Sequence, residues 1–131
     1  MHNIKELKIW NKAITLTAKV YTISAKFPSD ERFGLTAQVR RSAVSIPSNI
    51  SEGAGRNTKG EFVQFLGIAN GSLYELQTQI IISEQLGFIQ KEECNELLEK
   101  IDELQKMNYK LQLSIKKTNG VSQYAIPSTQ Y

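Results

Sequence analysis

With 131 residues, 40% of them hydrophobic and 22% charged, the chain has material for one hydrophobic core and too little for two. That balance excludes a disordered or collagen-like polymer, while sixteen basic against thirteen acidic side chains, +3 at neutral pH, permit a polyanionic partner without requiring one. The lone cysteine, Cys94, excludes an intrachain disulfide, and with neither a secretory leader nor an apolar run of about 18 residues the expected setting is cytoplasmic and away from membranes.

Glycine and proline divide the chain into four long stretches, and the spacing within each predicts a helix. The first, residues 4–26, holds Ile4, Leu7, Trp10, Ile14 and Tyr21 in one apolar row and Ile9, Ala13, Leu16, Val20 and Ile23 in a second beside it. Together the rows span about half the helix circumference at ~100° per residue, more than one bundle interior needs, so contact with a second copy is expected. Lys5, Lys8, Lys12, Lys19 and Lys26 fall within an arc of about 60° on the remaining side and form a basic stripe.

The second stretch, residues 36–55, follows a Pro28–Glu31 turn and carries Leu35, Val39, Ala43, Ile46, Ile50 and Ala54 in one row, with Pro47 inside it. Proline lacks the N–H and crowds the carbonyl four residues back, so a kink is expected near Ser45 and Ile46, with the helix resuming in register at Ile50. A polar row runs alongside: Gln38, Arg41, Ser42, Ser45, Asn49 and Glu52. Thr58 and Glu61 form a capping box for the third helix, whose core row is Phe62, Phe65, Leu66, Ala69, Leu73, Leu76 and Ile80, and Gly87 supplies a left-handed end. In the fourth helix, residues 91–117, Cys94, Leu97, Leu98, Ile101, Leu104, Leu111 and Ile115 make the row, six lysines balancing six acids elsewhere. The four-helix unit is placed at 1–118 and a flexible, aperiodic tail at 119–131.

The scarce residue types argue against an enzyme. His2 is the single histidine and stands at the N-terminus, so histidine-dependent nucleophilic or metal chemistry has no partner set. Cys94 occupies a core position and reads as an apolar filler. The segment Gly53–Gly60 lacks the Gly-Lys-Ser/Thr order of a phosphate loop and follows a helix, so it reads as a helix link. Glu52, Glu61 and Glu75 lack the Glu-x-x-His companions of di-metal bundles. No catalytic residue, metal, cofactor or small-molecule substrate is therefore assigned. Gly67-x-x-x-Gly71 predicts close packing against a neighbouring helix. Phe62 and Phe65 are placed in the core, and Tyr74 stays open between core and a base-stacking role.

The segments Gln38-x-Arg40-Arg41-Ser42, Ser45-Ile46-Pro47-Ser48-Asn49-Ile50-Ser51-Glu52-Gly53 and Gly71-Ser72-Leu73-Tyr74-Glu75-Leu76 resemble those of the proteins of bacterial 23S ribosomal RNA intervening sequences. The resemblance implies an all-α, antiparallel up-and-down four-helix bundle assembled as a ring-shaped homopentamer. It also implies that Gln38, Ser45, Pro47, Asn49, Glu52, Gly53, Ser72 and Glu75 form a packing or subunit-contact motif. A related accessory protein of diversity-generating retroelements binds a reverse transcriptase and nucleic acid through a basic surface. Two readings follow. In one, an oligomer holds RNA, DNA or a reverse transcriptase by phosphate contacts from Lys5, Lys8, Lys12, Lys19, Arg40, Arg41, Arg56 and Lys59. In the other, it is a protein scaffold with no nucleic-acid role and a merely solvated lysine face.

Overall fold

The computed structural model describes residues 3–117; His2 and the expected tail at 119–131 lie outside the described residues. Four helices follow one another: α1 (Lys8–Ser24), α2 (Leu35–Ala54), α3 (Lys59–Gln85) and α4 (Lys91–Lys117). Each packs on its neighbour in sequence and α1 closes the square against α4. Short links allow only antiparallel neighbours, so the architecture is the expected up-and-down bundle.

The first helix departs from expectation at its start. Ile4–Glu6 forms a short 3-10 turn capped by the Asn3 side chain, which accepts the Lys5 N–H, and Leu7 is extended before α1 begins. Asn11 then ties the turn to the helix, its side-chain amide donating to the carbonyls of Lys5 (2.8 Å) and Leu7 (3.0 Å). The break lets Leu7 turn inward, where it is almost fully buried. Of the two apolar rows of α1, Ile9, Ala13, Leu16, Val20 and Ile23 enter the core, while Ile14 and Tyr21 stay about two-fifths exposed and Trp10 half-buried.

Helix α2 runs through Pro47 without interruption. The missing proline N–H leaves the Ala43 carbonyl short of a donor, and α1 supplies one: the Thr17 hydroxyl lies 3.0 Å from Ala43 O and 2.8 Å from its own Ala13 O. A side-chain group of one helix thus repairs the backbone of another. Thr17→Val, isosteric but without the hydroxyl, is expected to cost about 1–2 kcal/mol in urea unfolding. The cost should shrink when Pro47→Ala restores the backbone donor, a coupling that a double-mutant cycle measures.

The ends of α3 follow the predicted chemistry. Thr58 Oγ1 accepts the Glu61 N–H at 3.1 Å and donates to the Glu61 carboxylate at 2.9 Å. At the other end Gly87 takes φ +78°, Phe88 N–H reaches Ser83 O and Gly87 N–H reaches Glu84 O, both at 2.9 Å, the two bonds of a Schellman ending. Phe88 there meets Phe27 of the α1–α2 link, ring centroids 5.6 Å apart, and the two cover one end of the core.

Two packing expectations are corrected. Gly67 and Gly71 do not admit a neighbouring helix of this chain: a Cβ on either meets nothing within 4 Å, because both face outward. The close approach is made at Gly53 instead, where a Cβ would stand 2.8 Å from Phe65 Cβ and 3.2 Å from Phe62 O. Phe65, expected in the core row, is half-buried on that seam.

Candidate functional site

The lysines of α1 share one side, as their spacing requires, and that side, with Lys26 just beyond the helix, lies against α4. Lys12 pairs with Glu103 at 3.3 Å, Lys19 with Glu96, and Lys26 with Glu93 at 2.7 Å. The Lys26 ammonium and the Gln90 N–H hold the Glu93 carboxyl below the usual range. These partly exposed rungs stitch two helices together at about 0–1 kcal/mol each, and a phosphate would have to displace a carboxylate to reach them. Lys5 and Lys8, at the start of the chain, are exposed and form no ion pair among the described residues.

The arginines are committed as well. Arg40 Nε donates to Ser24 Oγ at 2.8 Å and its terminal nitrogen donates to Tyr21 O at 3.2 Å, with the guanidinium 4.6 Å from the Tyr21 ring centroid. A cation on the last carbonyls of α1 favours the negative end of the helix dipole. Arg41 bridges Gln38 (3.0 Å) and Glu75 (2.8 Å). Arg56 reaches Glu52 (3.2 Å) and Glu61 (3.7 Å) and lies over Phe65, and Lys59 opens α3 half-buried.

The polar row of α2 faces α3 along a seam of two hydrogen-bonded groups. Ser42 Oγ donates to Glu75 at 3.0 Å, Ser45 and Ser72 hydroxyls meet at 2.7 Å, and the Asn49 amide donates to Ser45 O and Oγ. Arg41 and Ser42 together hold the Glu75 carboxyl below the usual range. Gln38 and Glu75 thus meet through Arg41 in one group, Ser45, Asn49 and Ser72 form a second one beside it, Gly53 allows the helices to touch, and Glu52 stands apart on Arg56. Both groups form within a single chain.

Among the grooves formed by described residues, two large ones flank opposite sides of the bundle's α2–α3 pair. One, about 570 Å³, runs between α1 and α2 and is lined by Trp10, Ile14, Thr17, Val44, Pro47, Ser48, Ser51 and Glu52. The other, about 350 Å³, runs between α3 and α4 and is lined by Asn70, Tyr74, Asp102, Gln105, Lys106, Tyr109 and Lys110.

A family model for the 23S rRNA-intervening sequence protein matches residues 5–110. The chain belongs to this family. A solved structure of a protein of unknown function from the S23 ribosomal protein family of Bacteroides thetaiotaomicron is 22% identical, covering 84% of this chain and 99% of that one, with a TM-score of 0.70. At that identity the likeness establishes the shared fold. No curated protein is significantly similar to the chain.

Among the described residues no three His, Cys, Asp or Glu side chains are grouped to hold a metal ion. No helix among them is long and apolar enough to cross a membrane. Burial pushes the Cys94 thiol up, with the Glu84 carboxylate adding to the shift, so it stays protonated at neutral pH.

The spacing of the sequence passed over Asn108, which is almost fully buried, donates to Leu66 O of α3 at 3.0 Å and accepts from the Gln112 amide at 2.6 Å. Its signal was present. Ile101, Leu104, Leu111 and Ile115 leave one gap in a 3-and-4 rhythm, and position 108 fills it. Tyr109 and Lys110 of the second groove were also missed, because they fall outside the apolar row and beyond the basic stripe of α1.

Proposed function

We propose that the chain is a non-enzymatic subunit that associates with copies of itself into a ring, in the cytoplasm. The observation that carries this is the amount of uncharged surface left uncovered on two separate faces. Trp10, Ile14, Val44 and Pro47 line the α1–α2 groove. On α3, Ile68 and Ile82 stand exposed one heptad either side of Glu75, with the open Gly71 between them. Glu75, the one charged residue of α3 between Glu61 and Glu84, is already neutralised by Arg41.

A monomer gains nothing from exposing such patches. Two different patches on different faces suit a head-to-tail contact, and head-to-tail contacts close into rings when the rotation permits. Five copies is the ring size that the resemblance implies. Sedimentation or light scattering at micromolar concentration is expected to give a multiple of the chain mass, five for that ring. Ile14→Glu or Val44→Glu should lower it with helix content unchanged. A folded protein at the mass of one chain overturns the reading.

Of the cations proposed to hold RNA, DNA or a reverse transcriptase, Lys12, Lys19, Arg41 and Arg56 face carboxylates, and Arg40 caps α1. This favours a scaffold role for the α1 face. A phosphate-binding role is better sought elsewhere on the surface.

A further inference from the structure

We propose that the groove between α3 and α4 binds single-stranded nucleic acid, with bases stacked on Tyr74 and Tyr109 and phosphates on Lys110 and the lysines of the last turn of α4. Tyr74 and Tyr109 line the same groove from opposite helices, 57% and 66% exposed. An uncovered pair of rings lining one groove offers flat faces on which any unpaired base can stack.

The charges of α4 are segregated along its length. Its first half holds six acids, Glu92, Glu93, Glu96, Glu99, Asp102 and Glu103, against Lys91 and Lys100, whereas beyond Glu103 it carries Lys106, Lys110, Lys116 and Lys117 and no acidic residue. The groove sits at the changeover. Its one carboxylate, Asp102, pairs with Lys106 at 3.0 Å, and the charge gradient along α4 repels a polyanion from its acidic start and draws it toward its end. Antiparallel topology brings Lys5 and Lys8 to that same end of the bundle, adding to the positive potential there.

The remaining lining supplies amides. Asn70 faces the groove, and Gln105 is held there by a 3.0 Å bond from its Nε2 to Gln77 Oε1, placing polar groups within reach of base edges. Rings need unstacked bases, which selects single strands over duplex. The groove is built within one chain and lies on the flank of α3 opposite Ile68 and Ile82, so the inference stands apart from self-assembly.

Fluorescence anisotropy of the full chain with a labelled oligouridine of about a dozen nucleotides tests it. Binding is expected at low salt, weakening as salt rises with a logarithmic slope of about −0.7 per phosphate held. Tyr74→Ala and Tyr109→Ala should each weaken it about tenfold, and Lys110→Gln should flatten the salt slope by about 0.7. Oligodeoxyuridine, which lacks only the 2′-hydroxyl, separates the two polymers: binding equal to oligouridine places recognition on bases and phosphates alone, and weaker binding adds a contact to the ribose hydroxyl. No binding at low salt, equal affinity for duplex or for an oligoglutamate peptide, or tyrosine variants that bind like the parent while retaining its helix content would each overturn it. Sedimentation of the same variants reports on assembly separately.

Discussion

Gly53→Ala is expected to destabilise the protein by about 1–3 kcal/mol, whereas Gly67→Ala and Gly71→Ala should each stabilise the fold by up to about 1 kcal/mol. All three glycines lie inside helices, where alanine is intrinsically preferred, so propensity alone predicts a gain at every one. Packing reverses the sign at one. A methyl on Gly53 would come within 2.8 Å of Phe65 Cβ, an atom fixed by the backbone of α3, and within 3.1 Å of the Phe62 ring, which is fully buried. Neither can retreat without moving α3 from α2, along the seam that also aligns Ser45 with Ser72 and Ser42 with Glu75. At Gly67 and Gly71 the added methyl meets nothing within 4 Å. Urea unfolding of the three variants decides the matter, and a gain in stability for Gly53→Ala would refute the close α2–α3 contact. Should Gly71 lie between copies, as the proposed ring has it, Gly71→Ala should also lower the solution mass.

Asn108→Asp is expected to cost about 3 kcal/mol or more at neutral pH. The exchange is nearly isosteric, but it replaces the amide that donates to Leu66 O at 3.0 Å with an oxygen that cannot donate when ionised, in a position 1% exposed. An ionised carboxylate there loses its water and faces a carbonyl; only the Gln112 amide remains to donate to it. Burial disfavours the charged form, so the deficit should be largest above the folded-state pKa of the new carboxyl and should narrow as the pH falls through it. Asn108→Leu fills the site without a polar demand and is expected to lie within about 1 kcal/mol of the parent. Chemical denaturation of both variants at pH 7 and at pH 4 reads the difference. Equal stability of Asn108→Asp and the parent at pH 7 would mean that the site is not closed to water. A buried asparagine in a rhythm of leucine and isoleucine is costly for stability and useful for register, and here it fixes α4 lengthwise against α3.

Periodicity and punctuation made the four helices legible, with the caps at Thr58 and Gly87 and almost every residue of the core. The start of α1 was misread because Ile4 and Leu7 continue the apolar rhythm; what breaks the helix is the capping of Lys5 by Asn3 and the reach of Asn11 back across Leu7. The candidate site was legible only in part. Lys12 and Lys19 are seven residues apart, and so are their partners Glu96 and Glu103, a complementary pattern written openly in the chain. Nothing in either segment says that they will face each other, so the stripe looked available for phosphate when its charges were already matched.

What the amino-acid sequence determined by itself is the set of elements, their ends and the residues fit for a core, because backbone angles, caps and helical phase depend on neighbours within about four residues. Tertiary structure alone decided which apolar row of α1 would be covered and which would remain outside. It also decided that Thr17 would serve the carbonyl orphaned by Pro47, and that Tyr74 and Tyr109 would line one groove. Each of those outcomes joins residues 26 or more positions apart, and their meeting depends on how four amphipathic rods settle the burial of all their faces at once.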